Sequence, residues 1–230
     1  MANFVLVHGA WIGGWYWRPN AQALRKAGHE VYTPTMTGLG ERIHLMNPSI
    51  NLDTHITDIV NVIKQEDLSD IVLVGHSYGG MVVTGVADSL AGKISSLVYL
   101  DAFVPKSGDA LVKFLPPGHP PPKAASEYTL APLPAAFFGA SPEAAAVVDA
   151  STTPMPTACF TQLLKLTGGI DRVKKKTYIY CNVPAPTTFT QFYDKLKDDR
   201  DWTVHTLPCT HIVQIDMPNE LTALLLQAMP

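Results

Sequence analysis

Short apolar runs alternate along this chain with longer amphipathic stretches. The runs at 3–7, 30–35, 71–75, 94–100, 177–181 and 202–207 are rich in Val, Ile, Leu and aromatic residues and bounded by Gly, Pro or polar positions, so they read as strands. The stretches at 15–27 (ended by Gly28), 52–65 (with Asp53 near its start), 81–91, 189–196 and 219–228 read as helices, and 38–48 as a loop. Strands this apolar, separated by helices, predict a mostly parallel central sheet with helices on both faces.

The pattern breaks after Pro105. Eleven of the 19 prolines fall between 105 and 156, including Pro120, Pro121 and Pro122, among many alanines. Such a segment cannot supply a central strand. Phe114, Phe137, Phe138 and Phe160 argue for packing rather than a disordered linker. The expected organisation is a core of residues 1–105 and 171–230 with a Pro/Ala-rich lid insertion at 106–170.

At 230 residues, with 47% hydrophobic and 16% charged positions, the chain has enough apolar surface for one full core. A net charge of −3 gives no electrostatic case for nucleic acid or an anionic membrane surface as a partner. No run approaches 18 apolar residues, and the apolar stretch at 4–7 is too short for a signal peptide and lacks a basic flank. Cys159, Cys181 and Cys209 are an odd number at unrelated spacings, which predicts free thiols and a cytoplasmic location. Cys209 is expected to be a small buried residue beside the site rather than a nucleophile.

The chemistry concentrates in residues 71–80. An apolar strand runs into Gly75-His76-Ser77-Tyr78-Gly79 and then into a helix. G-x-S-x-G in that context is a nucleophile elbow: the serine is lifted onto a sharp turn, and glycines two residues either side keep backbone and helix from clashing. In a parallel sheet, ligands gather beyond the carboxyl ends of the strands. There the first strand ends in His8-Gly9-Ala10-Trp11 and the last in Pro208-Cys209-Thr210-His211. His211 is the candidate general base for Ser77. The N–H groups of Tyr78 and Ala10 are the candidate oxyanion donors. Trp11, Phe103, Phe137 and Phe138 are expected to wall the substrate pocket. His76 is expected to pack under the elbow and His8 to make a structural hydrogen bond, while His29, His44, His55, His119 and His205 have no supporting context. The spacings suggest no metal site, and the chemistry needs no cofactor, only a small-molecule substrate. Oligomeric state, a homodimer included, is left open.

Several stretches resemble the α/β-hydrolase superfamily, and within it the plant methylesterase and hydroxynitrile lyase group with its small bacterial esterase relatives. They are Phe4-Val-Leu-Val-His-Gly-Ala10, Trp15-x-Trp17, Ala27-Gly-His29, Val72-Leu-Val-Gly-His-Ser-Tyr-Gly-Gly-Met81, Leu100-Asp-Ala-Phe-Val-Pro105, Phe137-Phe-Gly139 and Pro208-Cys-Thr-His211. The resemblance implies an α/β-hydrolase fold and a serine hydrolase acting on esters, carbamates or amides.

Two departures matter. Hydroxynitrile lyases of this group carry a lysine after the catalytic histidine and a threonine in the first oxyanion loop, where this chain has Ile212 and Gly9. The family acid usually follows the strand ending near Cys181, where this chain has no carboxylate. Asp101 is the expected substitute. Absence of a catalytic acid, Asp216 and Asn182 are the alternatives. Beside hydrolysis, a lyase or cofactor-free dioxygenase, or a ligand receptor on the same scaffold, remains open at this stage.

Overall fold

The computed structural model describes residues 1–115 and 122–230. His119, Pro120 and Pro121 lie outside the described residues. Among those described, the strands in chain order are β1 (Asn3–Val7), β2 (Glu30–Tyr32), β3 (Ile71–His76), β4 (Ile94–Leu100), β5 (Thr129–Leu130), β6 (Met155–Pro156), β7 (Lys175–Cys181) and β8 (Trp202–Leu207). The helices are α1 (Arg18–Lys26), α2 (Leu52–Gln65), α3 (Gly79–Ser89), α4 (Pro142–Asp149), α5 (Ala158–Thr161), α6 (Thr190–Leu196), α7 (Val213–Asp216) and α8 (Pro218–Gln227).

Six strands form one sheet in the order β2-β1-β3-β4-β7-β8, every pair parallel. The order reverses between β1 and β3. Their diverging connections open a crevice beyond their carboxyl ends, the place where such sheets hold ligands. The α/β reading of the sequence therefore holds, with the large sheet wholly rather than mostly parallel.

Alternation along the strands sorts side chains into two layers. Phe4, Leu6, Val72, Val74, Val98, Leu100 and Ile179 pack with Leu24 of α1 and Leu221 and Leu225 of α8. Val5, Val7, Leu73, Leu97, Tyr99 and Tyr178 face α2, α3 and α6. Helix α2 starts in a capping box, Asn51 accepting from the Thr54 N–H while Thr54 reaches back, and buries Leu52, His55, Ile59 and Ile63 on one face. Helix α3 is buried on nearly every side, as its apolar run of Met81, Val82, Val83 and Val86 requires.

Element boundaries differ from expectation where backbone chemistry intervenes. The first helix splits into a 3-10 turn over Gly14–Trp17 and α1 proper, because Pro19 suits only the first turn of an α-helix. Strand β2 stops at Tyr32, short of Thr35, as Pro34 cannot donate to a ladder and Thr35 turns to accept from the Gly14 N–H.

Between β4 and β7 the chain leaves the sheet. Residues 106–170 contribute the antiparallel pair β5–β6, helices α4 and α5 and several 3-10 turns. Phe160, Met155 and Leu164 are buried against the main core, whereas Phe137 is half-exposed. The segment is tied back at its end by Asp88 of α3, which accepts from the N–H groups of Thr167 and Ile170. No helix among the described residues is long and apolar enough to cross a membrane.

Candidate active site

Ser77 stands between β3 and α3 with φ at +55°, a conformation rare for a residue carrying a Cβ. The strain is held by the fold. Ser77 N–H donates to the Leu100 carbonyl, and the Ser77 carbonyl accepts from the N–H groups of Gly80 and Phe103. The flanking glycines are steric necessities. A Cβ on Gly75 would lie 2.7 Å from the Gly79 carbonyl oxygen, and one on Gly79 would lie 2.8 Å from the carbonyl oxygens of Val7 and His8. Both contacts are against backbone, which cannot yield cheaply.

Asp101, the first residue after β4, also adopts positive φ, +39°. Its N–H donates to the Ile179 carbonyl, so the strand end is locked. The carboxylate is wholly buried. Oδ1 accepts from the Cys181 N–H at 3.2 Å, and Oδ2 pairs with His211 Nδ1 at 2.6 Å. Burial pushes the His211 imidazole from 6.5 down to about 3. Burial also pushes the Asp101 carboxyl up, against the pull of the Cys181 N–H. With Asp101 Oδ2 against Nδ1, the neutral tautomer that carries its proton on Nδ1 leaves Nε2 of His211 free to accept.

Of the other candidates, Asp216 is engaged elsewhere, and Asn182 is an amide without a charge to balance an imidazolium. Asp216 accepts from the Thr210 N–H at 3.0 Å and the Thr210 hydroxyl at 2.5 Å, fixing the turn that presents His211. Asn182 enters the ladder edge through its N–H to the Leu207 carbonyl.

Ser77, His211 and Asp101 line one cavity of about 410 Å³. Its walls include Trp11, Phe103, Phe137, Phe138 and Phe160, joined by Phe189, a ring that the sequence reading did not assign to the pocket. Ala10 and Tyr78 also line it, and their N–H groups donate to no other group among the described residues. No Lys or Arg of the described residues lines the cavity. The Ser77 hydroxyl, partly exposed to the cavity, makes no hydrogen bond among the described residues.

The histidines divide by role. His8 is wholly buried, Nδ1–H donating to the Gly9 carbonyl at 2.8 Å while Nε2 accepts from the Met36 N–H at 3.1 Å. His76 lies beneath the elbow, its Nε2–H donating to the His211 carbonyl at 3.0 Å. His55, given no role from sequence, accepts from the buried Tyr78 hydroxyl at 2.9 Å and donates to the Thr37 carbonyl. The available signal was its place in the Leu52, His55, Ile59, Ile63 stripe, which turns it toward the core. Cys209 is buried with its thiol against Cys181 and does not reach the cavity. Ile212 sits in an apolar cluster with Ile12, Tyr16 and Ala135.

The model of the alpha/beta hydrolase family matches residues 4–224, so the chain belongs to that family. A carbendazim hydrolyzing esterase from Nocardioides sp. (strain SG-4G) is 47% identical over 235 residues, covering 96% of this chain and 97% of that protein. An alpha-hydroxynitrile lyase from Arabidopsis thaliana is 32% identical over 104 residues, 45% of this chain and 40% of the lyase. Among solved structures, an extracellular alpha/beta-hydrolase from a Paenibacillus species superposes with a TM-score of 0.83 over 100% of this chain and 99% of that one. At 24% identity that likeness speaks to the fold alone.

Proposed function

We propose that this α/β-hydrolase cleaves small, uncharged, largely apolar esters and carbamates through an acyl-enzyme on Ser77, with His211 as base and Asp101 as the acid that orients it. Ester cleavage follows from the near full-length similarity to an esterase. The assignment of roles rests on one observation above the others: a serine at a positive-φ elbow shares an apolar cavity with an imidazole bonded at 2.6 Å to a buried carboxylate.

In this scheme His211 Nε2 takes the Ser77 proton as Oγ attacks the carbonyl carbon. Negative charge develops on the carbonyl oxygen and is met by the free N–H groups of Ala10 and Tyr78. Asp101 keeps the Nδ1 proton in place and balances the imidazolium that forms. The imidazolium then protonates the leaving alkoxide or amine, the carbonyl re-forms, and a water activated by the same nitrogen releases the acyl group. None of these steps calls on a cofactor.

The substrate class follows from the walls. With aromatic and aliphatic side chains around a 410 Å³ space and no Lys or Arg among its described lining residues, an anionic substrate finds no ion-pair partner in them and a flat uncharged one finds apolar walls. The 47% identical relative is named for carbendazim, a methyl carbamate, which makes that compound the first to assay. Residues 106–170 supply part of the roof and act as the lid. Three unpaired buried cysteines support a reducing, cytoplasmic setting. A hydroxynitrile lyase reading needs a cation beside the histidine, and the position holds Ile212 in an apolar cluster.

Ser77→Ala is the test. It should abolish turnover of p-nitrophenyl acetate and carbendazim with an unchanged circular dichroism spectrum. Retained turnover, or cyanohydrin cleavage or oxygen uptake in place of hydrolysis, would discard the mechanism.

A further inference from the structure

Rings enclose the imidazole of His211. His76 lies 4.6 Å away between ring centroids, tilted by 32°, and Phe138 lies 5.2 Å away at 34°. Phe189 differs from both: at 4.8 Å its plane is only 9° from that of the imidazole. Phe189 also lines the cavity and meets Phe103, another wall, edge to face at 5.1 Å. It is 6% exposed. Its backbone is pinned at the start of α6, with the N–H donating to the Thr187 hydroxyl and the carbonyl accepting from the N–H groups of Phe192 and Tyr193. A ring fixed in this way restricts rotation of the imidazole about its last torsion and withholds water from the covered face.

We infer that Phe189 is a positioning residue for His211, holding the plane of the imidazole and keeping it dry while forming part of the wall against which substrate rests. One side chain thereby links occupancy of the cavity to the state of the base. The inference rests on the reading of Ser77 and His211 as nucleophile and base.

Among the described residues, the groups that face His211 are few. Asp101 comes from the end of β4 and His76 from the end of β3. On its own loop Cys209 is buried two residues away, and Asp216 is bound to Thr210. The 182–189 loop carries no titratable side chain, and the inserted segment presents Phe138. Removing the Phe189 ring therefore changes the solvation of the imidazole and leaves its charged neighbours in place.

Nitrogen-15 NMR titration of His211, assigned by its loss in His211→Gln, reads this without turnover. In the unaltered protein the ring should keep neutral-imidazole shifts down to the pH at which the fold is lost. In Phe189→Ala its midpoint should move up from about 3 toward the ordinary 6.5. The acid limb of kcat/KM should rise with it, and kcat at pH 7.5 should fall about tenfold, a fraction of the roughly 10²–10⁴-fold that a positioned general base supplies, since Asp101 still holds the ring. Phe189→Leu, which keeps an apolar cover, should return the titration to that of the parent. Phe192→Ala removes a ring from the same aromatic cluster without touching His211, so it should lower Tm and leave the titration alone. An unshifted His211 in Phe189→Ala, with only Tm reduced, would overturn the inference. Should the alanine variant not fold, Phe189→Val replaces it under the same two outcomes. Failure of the hydrolase reading would show separately, in the Ser77→Ala assay.

Discussion

The two sides of the cavity are built by different means. On the sheet side, Ser77, Asp101 and His211 each end or follow a strand of one continuous parallel ladder; the first two are tied by backbone hydrogen bonds, and His211 is held by the Asp101 carboxylate and, through its carbonyl, by the His76 ring. On the opposite side, residues 106–170 offer short turns, a pair of two-residue strands and half-exposed rings such as Phe137. The contrast separates two demands. Bond-making atoms need placement to a fraction of an ångström, which a sheet supplies. A wall that recognises flat apolar molecules needs only shape and dryness, which loops supply and can vary.

The sharpest way to break that contrast is at Asp101. Asn tolerates positive φ, so Asp101→Asn keeps the strained backbone and removes only the charge. Loss of the imidazolium partner and of the proper tautomer should lower kcat by roughly 10⁴-fold, with Tm changed little. A loss below threefold in p-nitrophenyl acetate hydrolysis would return Asp101 to a purely structural role at the end of β4.

Acid should act on the sheet side first. Burial lowers His8 from 6.5 to about 3 and His55 to about 4, and lowers His76 as well. A histidine held neutral stabilises the fold above pH 6.5 and loses that contribution as pH falls toward its folded value, because the unfolded chain takes up the proton first. At pH 5 the loss is roughly 2 kcal/mol for each of His8 and His55. Both rings anchor loops at the carboxyl end of the sheet through Met36, Thr37 and Tyr78. Denaturant melts at pH 7.5 and 5 should therefore differ by several kcal/mol, and His55→Gln should shrink the gap. An equal stability at both values would show these rings to be hydrated.

Next in size is the elbow itself. Gly79→Ala drives a Cβ toward two backbone oxygens at 2.8 Å and should cost about 3 kcal/mol, read as a lowered Tm with proportionate loss of folded enzyme. Gly92→Ala, whose added carbon would meet nothing within 4 Å, is the matched control and should leave Tm within a degree or two.

How much of this could be read from residues follows the same division. Asn3–Val7 was legible to the residue because its apolar run fills both layers of a parallel sheet, and the edge strand Trp202–Leu207 was legible from its β-branched and aromatic residues. The elbow was legible because its glycines are forced by local sterics. Asp101 and His211 meet across 110 positions of the chain, and Asp101 came into view through the family resemblance, which showed the usual acid position empty, and through its place at the end of the strand after the nucleophile helix. What stayed hidden depends on side chains of separate elements finding one another. The helical stripe turns His55 inward but does not name the Tyr78 hydroxyl as its partner, and Phe189 stacking on His211 leaves no periodic trace. Prolines in 106–170 excluded a central strand of the large sheet but said nothing of the short β5–β6 pair.

The smallest effect expected is the one that best tests the cover. Phe137 lines the cavity yet is 49% exposed, so its truncation removes wall rather than core. Half the area of a phenylalanine side chain at about 25 cal/mol per Å² sets an upper limit near 2 kcal/mol, and partial contact with substrate lowers it to about 1. Phe137→Ala should therefore raise KM for an aromatic ester about threefold to fivefold, leave kcat for p-nitrophenyl acetate unchanged and leave Tm unchanged. A fall in kcat without a rise in KM would mean that the cover takes part in placing the reacting atoms. The division of labour between ladder and loop would then be drawn in the wrong place.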